Sequence, residues 1–208
     1  MAYKLYYYDG RGYAEPIRMI LSYGGVDFED IRAPMFPIPQ PLPADIKAKS
    51  TWGQVPFIEF DGKKLNQSLA ITRYFAKKFD LVGSNEFEAA QCDEYVDTVV
   101  DYVKAWFPLV MEQDAEKLKK MEEEVTKSSR EKYLSKFNAI ILENGGQFLV
   151  GKKMTWADIY FAQALNNGEL IHGTKFTEEY PGLKAMYDNV FNTPAIKKWV
   201  KGRPSTKF

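Results

Sequence analysis

Three consecutive tyrosines, Tyr6, Tyr7 and Tyr8, run into Asp9-Gly10-Arg11-Gly12. A phenol at the end of a strand, beside a glycine-broken loop, is offered to a cleft rather than to a core. Its hydroxyl can donate a hydrogen bond to an anion. With a thiolate as the anion, that bond favours the charged form and lowers the thiol pKa from about 8.5. Side chains alternate along a strand, so Tyr6 and Tyr8 share one side and Tyr7 takes the other. Facing alone does not say which side meets a ligand. Taken alone, the plainer reading of Tyr7 is a strand aromatic with a satisfied hydroxyl.

Other groups carry the same two-sided reading. Gln67-Ser68 opens a helix, whose free N–H groups and the Ser68 hydroxyl either hold a carboxylate or simply cap the helix. The Val55-Pro56 peptide leads into a strand. In the cis form it would turn backbone donors and acceptors outward to pair with an extended peptide, although trans is the ordinary state. Arg11 fits an anion contact or an ion pair tying two domains together. Cys92 is a mid-helix thiol with no basic neighbour, expected to be buried and inert. His172 falls between helices, in a surface or capping position.

Cys92 and His172 are the sole cysteine and histidine, so an intrachain disulfide and a multi-histidine metal site are excluded. No nucleophile elbow accompanies His172, which removes a Ser-His-Asp scheme. Lysine and arginine number 28, aspartate and glutamate 28, so the chain carries no net charge and fits neither a nucleic-acid nor an anionic-membrane binder. The first residues show no leader pattern and no apolar run is long enough for a membrane span, so a cytosolic protein is expected.

The elements that must position these residues fall into two groups. Residues 3–8 read as a strand, 13–23 as a helix opened by Pro16 and ended by Gly24-Gly25, and 27–32 as a second strand, a beginning that favours a parallel pair. Five prolines between 34 and 43 exclude a helix or central strand there. A short helix over 44–50 follows, then a strand over 55–60, a turn at Asp61-Gly62, its partner strand over 63–66, and a helix over 68–79 with Ser68 as its cap. Beyond Val82-Gly83 every periodic stretch is helical: 86–113, 115–143 with one charged face, a helix behind the Thr155-Trp156-Ala157-Asp158 capping box, 181–191 and 195–200. The fold expected is α/β plus all-α: a β-α-β-α-β-β-α domain over 1–79 and an all-helical domain over 83–208.

Read together, Tyr3-Lys4-Leu5 leading to Tyr7, Arg11-Gly12, Ala14-Glu15-Pro16-Ile17-Arg18, Gly53-Gln54-Val55-Pro56, Gln67-Ser68-Leu69-Ala70-Ile71, Arg73-Tyr74, Thr155-Trp156-Ala157-Asp158 and Arg203-Pro204 resemble the cytosolic glutathione S-transferases. The wording is most similar to the sigma class, which includes glutathione-dependent prostaglandin D synthases, and to nematode transferases. The resemblance spans the chain and implies a thioredoxin-like first domain, glutathione as co-substrate, no metal, and a homodimer acting on small hydrophobic electrophiles. It also implies the activity: conjugation of the glutathione thiolate, with peroxide reduction or prostaglandin isomerisation beside it. A non-catalytic carrier of glutathione, haem or other apolar ligands on the same fold is the alternative.

Residue by residue, the family spacing to Arg11-Gly12 selects Tyr7 as the donor to the glutathione sulfur. Val55, with Pro56 cis, pairs its backbone with the cysteinyl part. Gln67 and Ser68 hold the γ-glutamyl end, Lys47 meets the glycine carboxylate with Gly53 and Gln54 beside it, and Asp101 reaches the γ-glutamyl group of a partner subunit. Tyr13, Val103, Trp106 and Phe107, with Met111 beyond them, are expected against the second substrate. The resemblance breaks at two places: Pro43 stands where the family carries a tryptophan, and Tyr13 stands where prostaglandin synthases often carry a basic residue.

Overall fold

Valine, tyrosine and phenylalanine-rich segments form strands because their side chains pack on a pleated surface. In the computed structural model, which describes residues 3–35, 41–112, 114–173 and 175–206, four segments make one sheet, and two of them, 3–8 and 57–60, are rich in aromatics. In chain order the first elements are β1 (Tyr3–Tyr8), α1 (Glu15–Tyr23), β2 (Phe28–Ala33), α2 (Ala44–Lys49), β3 (Phe57–Phe60), β4 (Lys63–Asn66) and α3 (Ser68–Lys78). The sheet order is β2-β1-β3-β4. β1 runs parallel to β2 and antiparallel to β3, which pairs antiparallel with β4. The strand-helix-strand opening thus gives the parallel pair its pattern implies. Of the proline-rich stretch, residues 36–40 lie outside the described residues.

Alternation along β1 sorts its side chains onto two faces. Leu5 stands opposite Ile58 of β3, and both are fully buried, as are Ile17, Ile20 and Leu21 of α1 and Ile71 and Phe75 of α3. Tyr6 stands opposite Phe57, and the two rings stack at 4.3 Å on the other face, in a cluster with Ala33 and Ile46 of α2. Tyr7 therefore shares the Leu5 face, and Tyr8, which is half-buried, the Tyr6 face.

The helical elements are α4 (Glu86–Met111), α5 (Ala115–Ser129), α6 (Ser135–Glu143), α7 (Trp156–His172), α8 (Pro181–Asn192) and α9 (Pro194–Gly202). The single helix expected over 115–143 is broken by a π-helical segment, Arg130–Leu134. Its wider i→i+5 turn brings Ser129 and Leu134, five residues apart and each 1% exposed, onto one inward face. The two helices expected over 181–191 and 195–200 are α8 and α9, and α7 runs from Trp156 to His172.

By its contacts the chain divides into two compact units: residues 1–81 with 170–172 and 191–208, and residues 82–169 with 173–190. The segment 191–208, expected with the helical domain, groups instead with the sheet. The reason is α9: Ile196 is fully buried, and the Trp199 ring lies 5.4 Å from Phe28 of β2. In the second unit Phe137 of α6 and Phe161 of α7 pack at 4.4 Å, and Val96, Val99, Trp156, Leu183, Met186 and Val190 of the same unit are fully buried.

Candidate functional site

β1 delivers Tyr7 to the end of the sheet, and the loop after it turns back over the phenol. Gly12 has φ +38°, and a Cβ there would stand 2.4 Å from the Tyr7 hydroxyl. A residue with a side chain meets both a left-handed penalty and a clash at this point. The next residue donates its backbone N–H to that hydroxyl: Tyr13 N lies 3.2 Å from Tyr7 Oη. An oxygen that accepts from a fixed N–H keeps its own hydrogen for another acceptor.

Tyr7 is 7% exposed. Burial pushes its pKa above the ordinary tyrosine value, against the opposing pull of the Tyr13 N–H and of Arg18. At neutral pH the group is therefore a phenol, a donor rather than a phenolate. Tyr6, by contrast, already donates its hydroxyl to Glu59 Oε2 at 3.1 Å, and burial and that carboxylate push it up to about 12. That engagement removes Tyr6 as a ligand donor.

A second group of expected residues lies in the loop between α2 and β3. The Val55–Pro56 peptide is cis. Ser50, at the end of α2, ties this loop from within: its Oγ donates to the Gln54 carbonyl at 2.7 Å, while Gln54 N and Asn66 Nδ2 donate to it at 3.1 and 3.2 Å. Sequence reasoning passed over Ser50, because its partners are set by the turn and by β4 rather than by a motif. Lys47 is exposed, and its stem runs beside Gly53, 3.4 Å from where a Cβ would stand. Gly53, at φ +64°, leaves room for that stem.

Gln67 is exposed and holds φ +73°, ψ 117°, a region that side chains rarely occupy and that clusters at functional sites. It, not Ser68, is the residue flanking α3. The expected cap is corrected by one position: Ser68 is the first helical residue, and the Gln67 side chain makes no cap bond. The first N–H groups of α3 are thus left for another acceptor.

The remaining expected residues belong to other surroundings. Tyr13 is 37% exposed. In the helical unit, Asp101 is exposed on α4 with its carboxylate 3.7 Å from Lys104 Nζ, and Val103 and Trp106 are half-buried on the same helix. Phe107 and Met111 are also on α4, with their side chains outside the described residues. Cys92 is buried, and burial pushes its thiol up to about 11, so it is no nucleophile at neutral pH. Among the described residues there is no group of three or more His, Cys, Asp or Glu that could hold a metal ion, and no helix long and apolar enough to cross a membrane.

The four-stranded mixed sheet carries the buried tyrosine at one strand end, the cis-proline loop and the uncapped helix start, and a helical unit follows it along the chain. The chain belongs to the glutathione S-transferase family. Its residues 3–77 match the glutathione S-transferase N-terminal domain and residues 100–203 the C-terminal domain. A glutathione S-transferase of Anopheles gambiae is 36% identical over 99% of this chain and 98% of its own length. Among solved structures, prostaglandin synthase D of Nilaparvata lugens superposes with a TM-score of 0.88 at 39% identity, over 99% of this chain and all of the other. A monomeric glutathione S-transferase of the hookworm Necator americanus superposes at 0.87 with 36% identity, over the whole of both chains.

Proposed function

We propose that this chain binds glutathione as its thiolate and joins the sulfur to an electrophilic carbon of hydrophobic compounds. The observation that carries the reading is Tyr7: a buried, protonated phenol whose oxygen is held by Tyr13 N–H. A thiolate placed before it accepts its hydrogen, and the thiol proton passes to solvent. Sulfur then forms the new carbon bond as the leaving group departs. Lowering a thiol pKa by two units corresponds to about 2.7 kcal/mol, the scale asked of Tyr7 and its neighbours.

The rest of the unit suits the other ends of the tripeptide. The uncapped N–H groups of α3, with Gln67 and Ser68, suit the γ-glutamyl carboxylate. Val55, before the cis Pro56, offers its backbone to the cysteinyl part, and Lys47, beside Gly53 and Gln54, suits the glycine carboxylate. Tyr13 adds an exposed ring for the apolar co-substrate. Asp101 of a partner subunit completing the γ-glutamyl contact, a homodimer, and a cytoplasmic location with Cys92 reduced belong to the same proposal. Prostaglandin isomerisation is a second reading, favoured by the similarity to a named prostaglandin synthase.

Conjugation of a chloro-nitrobenzene with glutathione, wild type against Tyr7→Phe, tests the reading. A hydrogen bond to a charged partner contributes about 1.5–3 kcal/mol, so Tyr7→Phe should lower kcat/KM by roughly ten- to a hundredfold at neutral pH. A wild type that binds a glutathione resin but shows no rate above background would leave a non-catalytic carrier. Equal rates in the two proteins would remove Tyr7 from its role.

A further inference from the structure

Beside Tyr7 lies a chain of charges, buried at Glu15 and Arg18 and exposed at Asp9, that the proposed glutathione contacts do not use. Glu15 and Arg18, three apart on α1, are both fully buried and pair at 3.0 Å. The other carboxylate oxygen of Glu15 accepts from Trp199 Nε1 at 2.9 Å and from Arg203 Nη1 at 2.7 Å. Arg18 also donates from Nη1 to the Gly10 carbonyl at 2.7 Å and from Nε to Asp30 at 3.1 Å, with its Cζ 5.9 Å from the centre of the Tyr7 ring. Arg32 joins Asp30 at 2.7 Å to Asp9 at 3.1 Å. Glu15, Asp30 and Asp9 thus face Arg18, Arg203 and Arg32, and Tyr8 and Tyr13 are the other titratable neighbours of Tyr7.

Taking such charges out of water costs several kcal/mol per ion, and apolar residues of the same volume often serve stability as well. What a guanidinium fork adds is fixed direction. Here the direction converges on Gly10, in the loop whose Tyr13 N–H holds the Tyr7 hydroxyl. The far end is fixed by local chemistry: Pro204 keeps Arg203 out of the helical region, at φ −66°, ψ 149°, so α9 ends where the Arg203 side chain meets Glu15.

We propose that Arg203 and Trp199 are positioning residues for Tyr7: they hold Glu15, Glu15 holds Arg18, and Arg18 pins the loop that aims the Tyr7 hydroxyl at the thiolate. The thiolate part rests on the glutathione reading above. The pinning of the loop does not.

Arg203→Met, Arg203→Lys and Trp199→Phe test it, with amide hydrogen exchange resolved by residue and the thiolate absorbance of bound glutathione followed against pH. In Arg203→Met the Tyr13 amide should exchange tenfold or more faster, with Leu5 and Ile58 in the β1–β3 ladder within twofold of wild type. The thiolate titration should move up by roughly half a unit to one unit, a three- to tenfold loss of kcat/KM below that midpoint, with the glutathione KM within twofold. Trp199→Phe, which keeps a ring against Phe28, should move both readouts the same way by less, and Arg203→Lys should return them to within twofold. A Tyr13 amide at the wild-type rate in folded Arg203→Met overturns the proposal. So does an equal acceleration of every ladder amide, which would make Arg203 a stability residue only. Should Arg203→Met not fold, Trp199→Phe decides by the same two outcomes. A wild type that never ionises bound glutathione sinks the transferase reading, while the exchange data still decide the pinning of the loop.

Discussion

Gly12→Ala places one methyl group against the Tyr7 hydroxyl, the donor proposed for the thiolate. The new Cβ would lie 2.4 Å from Tyr7 Oη and 3.1 Å from two ring carbons. Real contacts of this kind start near 3.0 Å, so loop and phenol must part by roughly 0.6 Å at least. At φ +38° a side chain also meets a left-handed penalty of about 1–2 kcal/mol. Parting the two strains the 3.2 Å bond from Tyr13 N to Tyr7 Oη, worth about 1 kcal/mol. The expected loss of stability is therefore about 2–3 kcal/mol, read as a lower denaturation midpoint with an unchanged m-value. Misplacement of a catalytic group on the order of 1 Å costs up to about a hundredfold, so kcat/KM for conjugation should fall ten- to a hundredfold. The double variant with Tyr7→Phe isolates the cause, since the phenylalanine has no hydroxyl to displace. There, Gly12→Ala should change the residual rate by less than about twofold. A single variant with the wild-type rate would refute the reasoning. So would the same fold-loss in both backgrounds, because the damage would then not pass through Tyr7.

Other perturbations separate binding from chemistry and from folding. Lys47→Ala should raise the glutathione KM about fivefold, from a surface ion pair of about 1 kcal/mol, with kcat within twofold and the difference shrinking in high salt; an unchanged KM removes Lys47 from the site. Asp101→Asn should weaken glutathione binding only if the protein sediments as a dimer, and a monomer with Asp101→Asn equal to wild type would end the partner-subunit assignment. Asp158 is fully buried and accepts from Leu149 N, Thr155 N and Thr155 Oγ at 2.7–2.8 Å, tying the entry of α7. Burial nevertheless raises its carboxyl from 3.8 to about 6. An acid whose pKa is raised on folding binds its proton more tightly in the folded state, so this contribution grows as pH falls through about 6 toward 3.8. Between neutrality and mildly acid pH, wild type should gain about 1 kcal/mol relative to Asp158→Asn in denaturant unfolding; parallel pH curves for the two proteins would contradict it.

The residues that carry the reading were largely legible in the chain itself. Alternation on β1 separates Tyr7 from Tyr6 and Tyr8, and the turn at Asp61-Gly62 lies between β3 and β4. These signals are local: period two for strands, period 3.6 for helices, glycine where φ is positive, all set by near neighbours. The same locality explains the misses. The expected cap at Ser68 was one residue late because cap chemistry ranks serine above glutamine, and only the backbone shows Gln67 in its left-handed conformation at the helix start. The π-helical break at Arg130–Leu134 has no proline or glycine to announce it.

What the tertiary structure alone decided is who meets whom at long range. The motif from Ala14 to Arg18 and the Arg203-Pro204 pair were visible as words, but no pattern joins Glu15 to Arg203, 188 residues away. Nor does any local rule say that α9 groups with the sheet, its Trp199 ring against Phe28, or that Tyr6 gives its hydroxyl to Glu59 while the Tyr7 oxygen accepts from Tyr13 N–H. Periodicity determines which face of an element is apolar. Burial of charge is settled by the partner that arrives to neutralise it, and that partner is chosen by the packed fold.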